Sequence, residues 1–160
     1  MKDTEIARGL LRKAIKMDDN LLIAKKVLAN TYVGSGDYDE AMEIYTNALK
    51  QAEELGDKFV MGYNLNSIGI VYSNKGDDDT ALDYYDRSLE IREEIGDKRG
   101  RGNILNSIGG VYWNKGDYDK ALDYYDRSLV IDEELGDKSG MGYSLNCKQS
   151  DVIGQKGLKS

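Results

Sequence analysis

The chain has 160 residues, of which 40% are hydrophobic and 32% are charged, a composition that suits one folded domain with a buried core. The net charge of −7 disfavours nucleic acid and anionic membranes as partners, because both are negatively charged, and allows a basic or mixed-charge protein segment. The chain has no histidine, and its one cysteine, Cys147, excludes an intrachain disulfide and a cysteine-based zinc site.

The sequence repeats itself with a period of 40 residues. Residues 57–96 and 97–136 align without a gap and are identical at 28 of 40 positions, including the blocks L-N-S-I-G and A-L-D-Y-Y-D-R-S-L. A fixed period of this size is typical of a stacked repeat architecture.

The repeat divides the single domain 1–160 into consecutive segments. In chain order these are a lone helix at 4–17, a first repeat at 20–56, a second at 57–96, a third at 97–136, and a partial or capping helix at 137–153. The lone helix is either a half repeat or a natural cap, and the fourth unit departs from the pattern after Asn146. Residues 154–160 are predicted to be a disordered tail.

The third unit shows why each repeat is predicted to be a pair of helices. Gly96 can end one helix in the left-handed conformation, and Asp97 can cap the next helix. Gly116 and Asp117 repeat this arrangement, and so short a connection forces antiparallel packing of the two helices. Apolar residues spaced by three and four positions give each helix one buried face: Leu105, Ile108, Val111 and Tyr112 in the first, and Ala121, Leu122, Tyr125, Leu129 and Ile131 in the second.

This pattern resembles the tetratricopeptide repeat. The matching residues in the third unit are Ile108-Gly109, Tyr112, Gly116-Asp117-Tyr118, Ala121 and Tyr125. The 40-residue period is similar to the longer-helix subclass of G-protein-signalling modulators and kinesin light chains. The resemblance covers residues 4–146 and implies an all-α fold, a right-handed α-solenoid of about seven helices. The departures are Asp78 in place of a tyrosine, and Ser88 and Ser128 in place of an alanine.

The resemblance also implies that the first helix of each pair lines a concave groove that binds a peptide. An amide recurs there at the repeat spacing, at Asn66, Asn106 and Asn146, and Lys26 takes this place in the first unit. A carboxamide both donates and accepts, so such a row matches the polar groups of a peptide backbone. The alternative is that each amide binds a neighbouring helix and sets the twist of the solenoid.

Further candidates for peptide binding lie on the same face. Tyr63, Asn103 and Tyr143 lie one helical turn before the row of amides. Trp113 is the single tryptophan, and tryptophan is enriched among residues that dominate binding energy. Packing of Trp113 against the next repeat is the open alternative.

Lys26 and Asn30 occupy positions at which some members of the resembled family bind the C-terminal carboxylate of a partner. The rest of that clamp needs an amide and two basic residues, and the sequence has other residues there: Ser67, Asn103 and Ser107. A carboxylate clamp is therefore disfavoured, although Lys26 and Asn30 remain candidates for peptide binding.

The remaining motifs favour ordinary structural roles. The run Asp77–Asp79 suits a helix N-terminus and lacks the alternating pattern of a calcium loop. The glycine pairs within Gly100–Gly102 and Gly140–Gly142 lack the lysine and hydroxyl residue of a phosphate-binding loop, and we expect them to allow close packing. No serine has a histidine to activate it. We expect no enzyme activity, no metal site and no cofactor.

The sequence predicts a non-enzymatic scaffold for protein–protein interaction that binds a peptide segment of a partner in the concave groove. Residues 1–20 show no signal peptide and no apolar run approaches the roughly 20 residues of a membrane span, so we expect a cytoplasmic protein. Two alternatives stay open. Exposed apolar end faces could form a homodimer or a larger assembly, or the chain could be the regulatory segment of a larger sensor or enzyme.

Overall fold

The computed structural model describes residues 2–142, 144–146 and 148–149, and its secondary structure in these ranges is entirely helical apart from the short connections. Seven helices follow one another: α1 (Lys2–Met17), α2 (Leu22–Ser35), α3 (Tyr38–Leu55), α4 (Lys58–Asn74), α5 (Asp78–Glu94), α6 (Lys98–Asn114) and α7 (Tyr118–Leu135). Helical residues continue at 138–142, 144–146 and 148–149. The lone helix therefore begins earlier than predicted, and the predictions for 150–153 and for the tail 154–160 lie outside the described residues.

Each helix packs against the next one along the chain, which confirms the predicted α-solenoid of antiparallel helix pairs. We call α2, α4 and α6 the first helices and α3, α5 and α7 the second helices of the three repeats. By sequence register, α1 corresponds to the second helices. No helix among the described residues is long and apolar enough to cross a membrane.

Glycine and aspartate set the helix boundaries as predicted. Gly96 and Gly116 have φ values of 69° and 77°, a left-handed conformation that a side chain disfavours. The side chain of Asp97 then accepts a hydrogen bond from the backbone N–H of Gly100, and Asp117 does so from Lys120. Each first helix thus ends and each second helix begins within about three residues, which holds the pair antiparallel.

In the core of the second and third repeats, a tyrosine ring packs against a glycine. Tyr85 and Tyr125 are buried, and a Cβ atom added at Gly69 or Gly109 would lie within 2.7 Å of the facing ring. Ala121 of the same repeat is also fully buried. The two helices of each of these repeats therefore approach closely at the glycine.

The two serines that depart from the repeat pattern bind backbone carbonyls. Ser88 donates to the carbonyl oxygen of Gly62 at 2.6 Å, and Ser128 donates to that of Gly102 at 2.8 Å. Both hydroxyls are buried, so these bonds satisfy groups that would otherwise be costly to bury. They join the second helix of each repeat to its first helix.

In the second and third repeats, a tyrosine of the first helix stacks on a tyrosine of the second helix. The rings of Tyr72 and Tyr84 are 5.5 Å apart and nearly parallel, and those of Tyr112 and Tyr124 repeat this geometry. The guanidinium of Arg127 lies 4.9 Å from the Tyr124 ring centre. These contacts show that the half-buried tyrosines pack against other side chains of the same repeat.

Candidate peptide-binding surface

Three predicted site residues, Lys26 and Asn30 of α2 and Tyr63 of α4, form a connected polar cluster with Tyr45 of α3. The Lys26 ammonium lies 4.1 Å from the centre of the Tyr63 ring, within the range of a cation–π contact. Asn30 Oδ1 accepts hydrogen bonds from the hydroxyls of Tyr45, at 2.6 Å, and Tyr63, at 3.1 Å. We call Lys26, Asn30, Tyr45 and Tyr63 the tyrosine–asparagine cluster.

The hydrogen bonds within the cluster determine which of its polar groups a ligand could bind. Burial raises the pKa of Tyr45 above its ordinary value, with the neighbouring Tyr63 adding to the shift and a hydrogen bond to Ser67 opposing it. Tyr45 therefore stays a hydrogen-bond donor at neutral pH. Both phenols bind Asn30 Oδ1, so the two N–H donors of this exposed amide have no acceptor among the described residues and are open to one on a ligand.

In the sequence, Tyr45 holds the repeat position of Tyr125, a residue of the predicted buried face. Its side chain is buried, as the repeat pattern predicts, but its hydroxyl reaches the surface residue Asn30. Tyr45 and Tyr85 hold the same repeat position, and so do Asn30 and Ile70. The signal in the sequence was Asn30, a polar residue at the repeat position that Ile70 holds in the second repeat. Such a residue can accept a hydrogen bond from the tyrosine hydroxyl.

The amides of the predicted row have different environments. Asn66 is half-buried, and its Oδ1 is a buried atom without a hydrogen-bond partner among the described residues. Asn106 is 9% exposed, and its amide nitrogen donates to Ser144 Oγ at 3.2 Å. Asn106 thus makes the alternative contact, to a neighbouring helix, whereas Asn146 is exposed.

The other predicted residues lie apart from the tyrosine–asparagine cluster. Asn103 is exposed on α6, and its carbonyl accepts a hydrogen bond from Ser107 at 3.2 Å. Trp113 is half-buried, and its ring lies 4.6 Å from that of Tyr118 at the start of α7. Trp113 therefore packs within its own repeat. Tyr143 lies outside the described residues.

Two buried charges at one repeat position were not predicted. The position that holds Ala52 in the first repeat holds Arg92 in the second and Asp132 in the third. Arg92 pairs with Asp97, and its guanidinium lies 4.6 Å from the Phe59 ring. The sequence signal was the change from a small residue to charged residues at a core position.

Asp132 lies in a buried polar network. Its Oδ2 accepts a hydrogen bond from Ser144 at 3.1 Å. Burial raises the pKa of Asp132 above its ordinary value, with Asp137 adding to the shift, while the Ser144 bond and Arg99 oppose it. The network joins α7 to the helical residues that follow it.

The described residues contain no group of three or more potential metal ligands.

Comparison with protein-family models shows the family to which the chain belongs. The model of the tetratricopeptide repeat family matches residues 20–94 and 60–134, which together span more than half of the chain. The chain belongs to the tetratricopeptide repeat family. No curated protein sequence matches this tetratricopeptide repeat chain.

Solved structures share the fold at low sequence identity. BtubC (BKLC) from P. vanneervenii has a TM-score of 0.74 and 20% identity, over 98% of this chain and 73% of the other. Aspartyl phosphate phosphatase F from Bacillus subtilis has a TM-score of 0.86 and 20% identity, over 99% of this chain and 43% of the other. A signal transduction ATPase with numerous domains from Pyrococcus horikoshii, which has a tetratricopeptide repeat sensor, has a TM-score of 0.75 and 23% identity, over 95% and 25%. These similarities establish the repeat fold alone.

Proposed function

We propose that this tetratricopeptide repeat chain is a non-enzymatic interaction module that binds a peptide segment of a partner protein along α2, α4 and α6. The observation that supports this most is the tyrosine–asparagine cluster, in which two tyrosine hydroxyls hold one exposed amide. A polar group that is held in place before binding loses little entropy on binding. Such a group is suited to a peptide backbone.

The cluster offers three kinds of contact to a peptide. The amide nitrogen of Asn30 can donate to a backbone carbonyl, and the ring of Tyr63 offers an apolar surface. Lys26, held over that ring, adds a positive charge to a chain whose net charge is −7. The acidic remainder of the chain favours a partner segment of basic or mixed charge, with an acceptor group near Lys26.

Farther along the surface, Asn66 and Asn103 offer further amides. Asn66 Oδ1 has no hydrogen-bond partner among the described residues, and a buried unpaired acceptor costs about 1–3 kcal/mol. A side-chain rotation that brings this oxygen to a peptide N–H would recover that cost. Asn106 is expected to contribute indirectly, because it already binds Ser144.

A random-peptide display selection on the purified chain tests the proposal. Enriched peptides are then titrated by fluorescence anisotropy against the wild type, the double variant Asn30→Ala/Asn66→Ala, and the control Asn114→Ala. Asn114 is an exposed amide at the end of α6, away from the cluster. We expect the double variant to weaken binding at least tenfold and the control to leave affinity unchanged.

Two results would contradict the proposal. One is the absence of enriched peptides on protein whose helical circular dichroism spectrum shows that it is folded. The other is equal affinity for the double variant, which would move the binding surface away from the tyrosine–asparagine cluster.

The apolar face of α1 favours self-association as a second candidate function. In sequence register, Ala7 of α1 corresponds to Ala41, Ala81 and Ala121, which are fully buried, whereas Ala7 is exposed. Leu10 and Met17 on the same helix are 65% and 81% exposed. A second copy that packs on this face would bury these side chains as the other repeats bury theirs.

Light scattering over a range of concentrations tests self-association. The change Leu10→Glu places a charge in the middle of the α1 face, so a wild-type dimer should become a monomer. Lys13→Glu, an exposed change on the same helix, serves as the control. A wild-type mass that stays at one chain throughout the concentration range would exclude this second function.

A further inference from the structure

A cavity of about 380 Å³ opens between α1, α2 and α3 and is separate from the tyrosine–asparagine cluster. Lys25 of α2 lines it, together with Ile15 of α1 and Ile44 and Gln51 of α3. The volume lies within the range of roughly 300–1,000 Å³ that is usual for small-molecule sites. We call this space the Lys25 cavity.

Lys25 breaks the repeat pattern at a core position. The equivalent residues of the second and third repeats are Leu65 and Leu105, each 2% exposed, and Lys25 is also buried, at 6%. Burying a lysine is costly unless its ammonium is paired, so a leucine here would serve packing better. Local rules are most often broken at functional sites.

The Lys25 ammonium is only partly satisfied by the protein. It pairs with Asp19 Oδ1 at 2.7 Å and donates to Gln51 Oε1 at 2.9 Å. An ammonium has three N–H donors, so one donor remains without an acceptor among the described residues. This donor is available to a group inside the cavity.

Gln51 breaks the repeat pattern as well. The equivalent residues in the later repeats are Ile91 and Ile131. The amide nitrogen of Gln51 donates to Asn20 Oδ1 at 2.9 Å and to the Asp19 carbonyl at 3.3 Å. Lys25 and Gln51 are hydrogen-bonded to each other, so two neighbouring positions that are apolar in the later repeats are both polar here. Both side chains also bind residues of the short α1–α2 connection.

The third repeat provides a matched comparison. A cavity of about 320 Å³ lies at the equivalent place, and its lining includes Leu105 and Ile131 where the Lys25 cavity has Lys25 and Gln51. The solenoid itself therefore creates such a cavity. Both linings include charged residues, but at these two positions the first repeat has a lysine and a glutamine where the third has a leucine and an isoleucine.

The rim of the Lys25 cavity carries one charge of each sign. Lys50 and Glu54 are exposed, line the cavity, and make no ion pair or hydrogen bond within the described part of the chain. With Lys25 and Asp19, the lining has two positive and two negative groups. A simple anion would meet both carboxylates, whereas a molecule that carries both charges can pair with each sign.

We propose that the Lys25 cavity binds a small zwitterion, an α-amino acid. Its carboxylate accepts from the free donor of Lys25 and from Lys50, and its ammonium lies against Glu54. The walls formed by Ile15 and Ile44 take its side chain. This site is independent of peptide binding on α2, α4 and α6.

Thermal unfolding of the full chain tests the proposal. Each common α-amino acid is added at millimolar concentration, beside the matching carboxylic acid without the amine and the amine without the carboxylate. At a concentration about 100 times Kd, binding should raise Tm by about 5–10 °C. Either half-ligand alone should give a much smaller rise.

Three variants locate the effect. Lys25→Leu/Gln51→Ile restores the pattern of the other repeats and should abolish the rise in Tm while the chain stays folded. Lys50→Gln leaves the core intact and should weaken affinity by about tenfold or more, as expected for a lost charge-assisted bond. Lys75→Leu, which removes an exposed lysine outside the cavity, should leave the rise unchanged.

The proposal is overturned if no amino acid raises Tm of the wild type, if the half-ligands act as strongly as the amino acid, or if the rise persists in the double variant. Should the double variant fail to fold, unchanged affinity in Lys50→Gln overturns the proposal instead.

Discussion

Asn106 and Ser144 are hydrogen-bonded to each other in the interior, with the amide nitrogen 3.2 Å from the hydroxyl oxygen. Ser144 in turn donates to Asp132 Oδ2 at 3.1 Å. These three side chains are buried and connect α6 and α7 to the helical residues that follow. Through these hydrogen bonds, the helical residues 138–142 and 144–146 are attached to the third repeat.

Asn106→Ala should loosen that segment without unfolding the repeats. The change removes the donor to Ser144, and losing a buried hydrogen bond costs about 1–3 kcal/mol. Hydrogen exchange of the amides at 138–142 and 144–146 should accelerate by about tenfold, while exchange in α4 stays the same. Equal exchange in the variant and in Asn114→Ala would show that the bond does not hold the segment.

Asp132 gives the stability a defined pH dependence. Because burial raises its pKa in the folded state above the ordinary value of 3.8, the folded chain binds this proton more tightly than the unfolded chain does. The protonated carboxyl of Asp132 therefore stabilises the fold relative to the ionised one. This stabilisation is fully present below the pKa of the unfolded chain and is lost as the pH rises through the raised pKa of the folded chain. Asp132→Asn should therefore be more stable than the wild type at about pH 7 and similar at about pH 3.

Urea unfolding at these two pH values measures the effect, with Glu133→Gln, an exposed neighbouring change, as the control. A variant that is less stable than the wild type at neutral pH would mean that the ionised carboxylate stabilises the network.

Two adjacent glycines of α6 should respond to alanine in opposite directions. A Cβ atom at Gly109 would lie 2.6 Å from Cε1 of Tyr125, whereas the nearest atom to a Cβ at Gly110 is the Tyr125 hydroxyl at 3.9 Å. Gly109→Ala should destabilise the chain by about 1–3 kcal/mol through overpacking. Gly110→Ala should stabilise it by up to about 1 kcal/mol through helix propensity. Urea unfolding compares the two, and shifts of the same sign would contradict the close approach at Gly109.

Trp113 reports on its contact with Tyr118. Removing this ring by Tyr118→Ala should expose the indole and shift its fluorescence emission to longer wavelength. Tyr38→Ala, at the same position of the first repeat, should leave the spectrum unchanged. An unshifted spectrum in Tyr118→Ala would mean that other neighbours shield Trp113. If a selected peptide contacts Trp113, the emission should also change on binding.

The sequence alone determined the repeat, the helix boundaries that glycine and aspartate mark, and the family. Helix ends depend on residues a few positions apart, such as Gly96 with Asp97, and the buried faces follow from apolar spacing. The close packing at Gly109 could be predicted for the same reason, since the small residue recurs at Gly69 in an otherwise apolar pattern.

Only the tertiary structure decided which polar side chains find a hydrogen-bond partner among the described residues and which do not. Asn66 and Asn106 are equivalent in sequence, yet among the described residues only Asn106 finds a partner for its amide, because Ser144 faces it from a later helix. Lys25 likewise stands at a leucine position, and its burial depends on Asp19 and Gln51 of neighbouring elements. A polar group's environment is set by residues distant in sequence, and the period of a repeat cannot specify them.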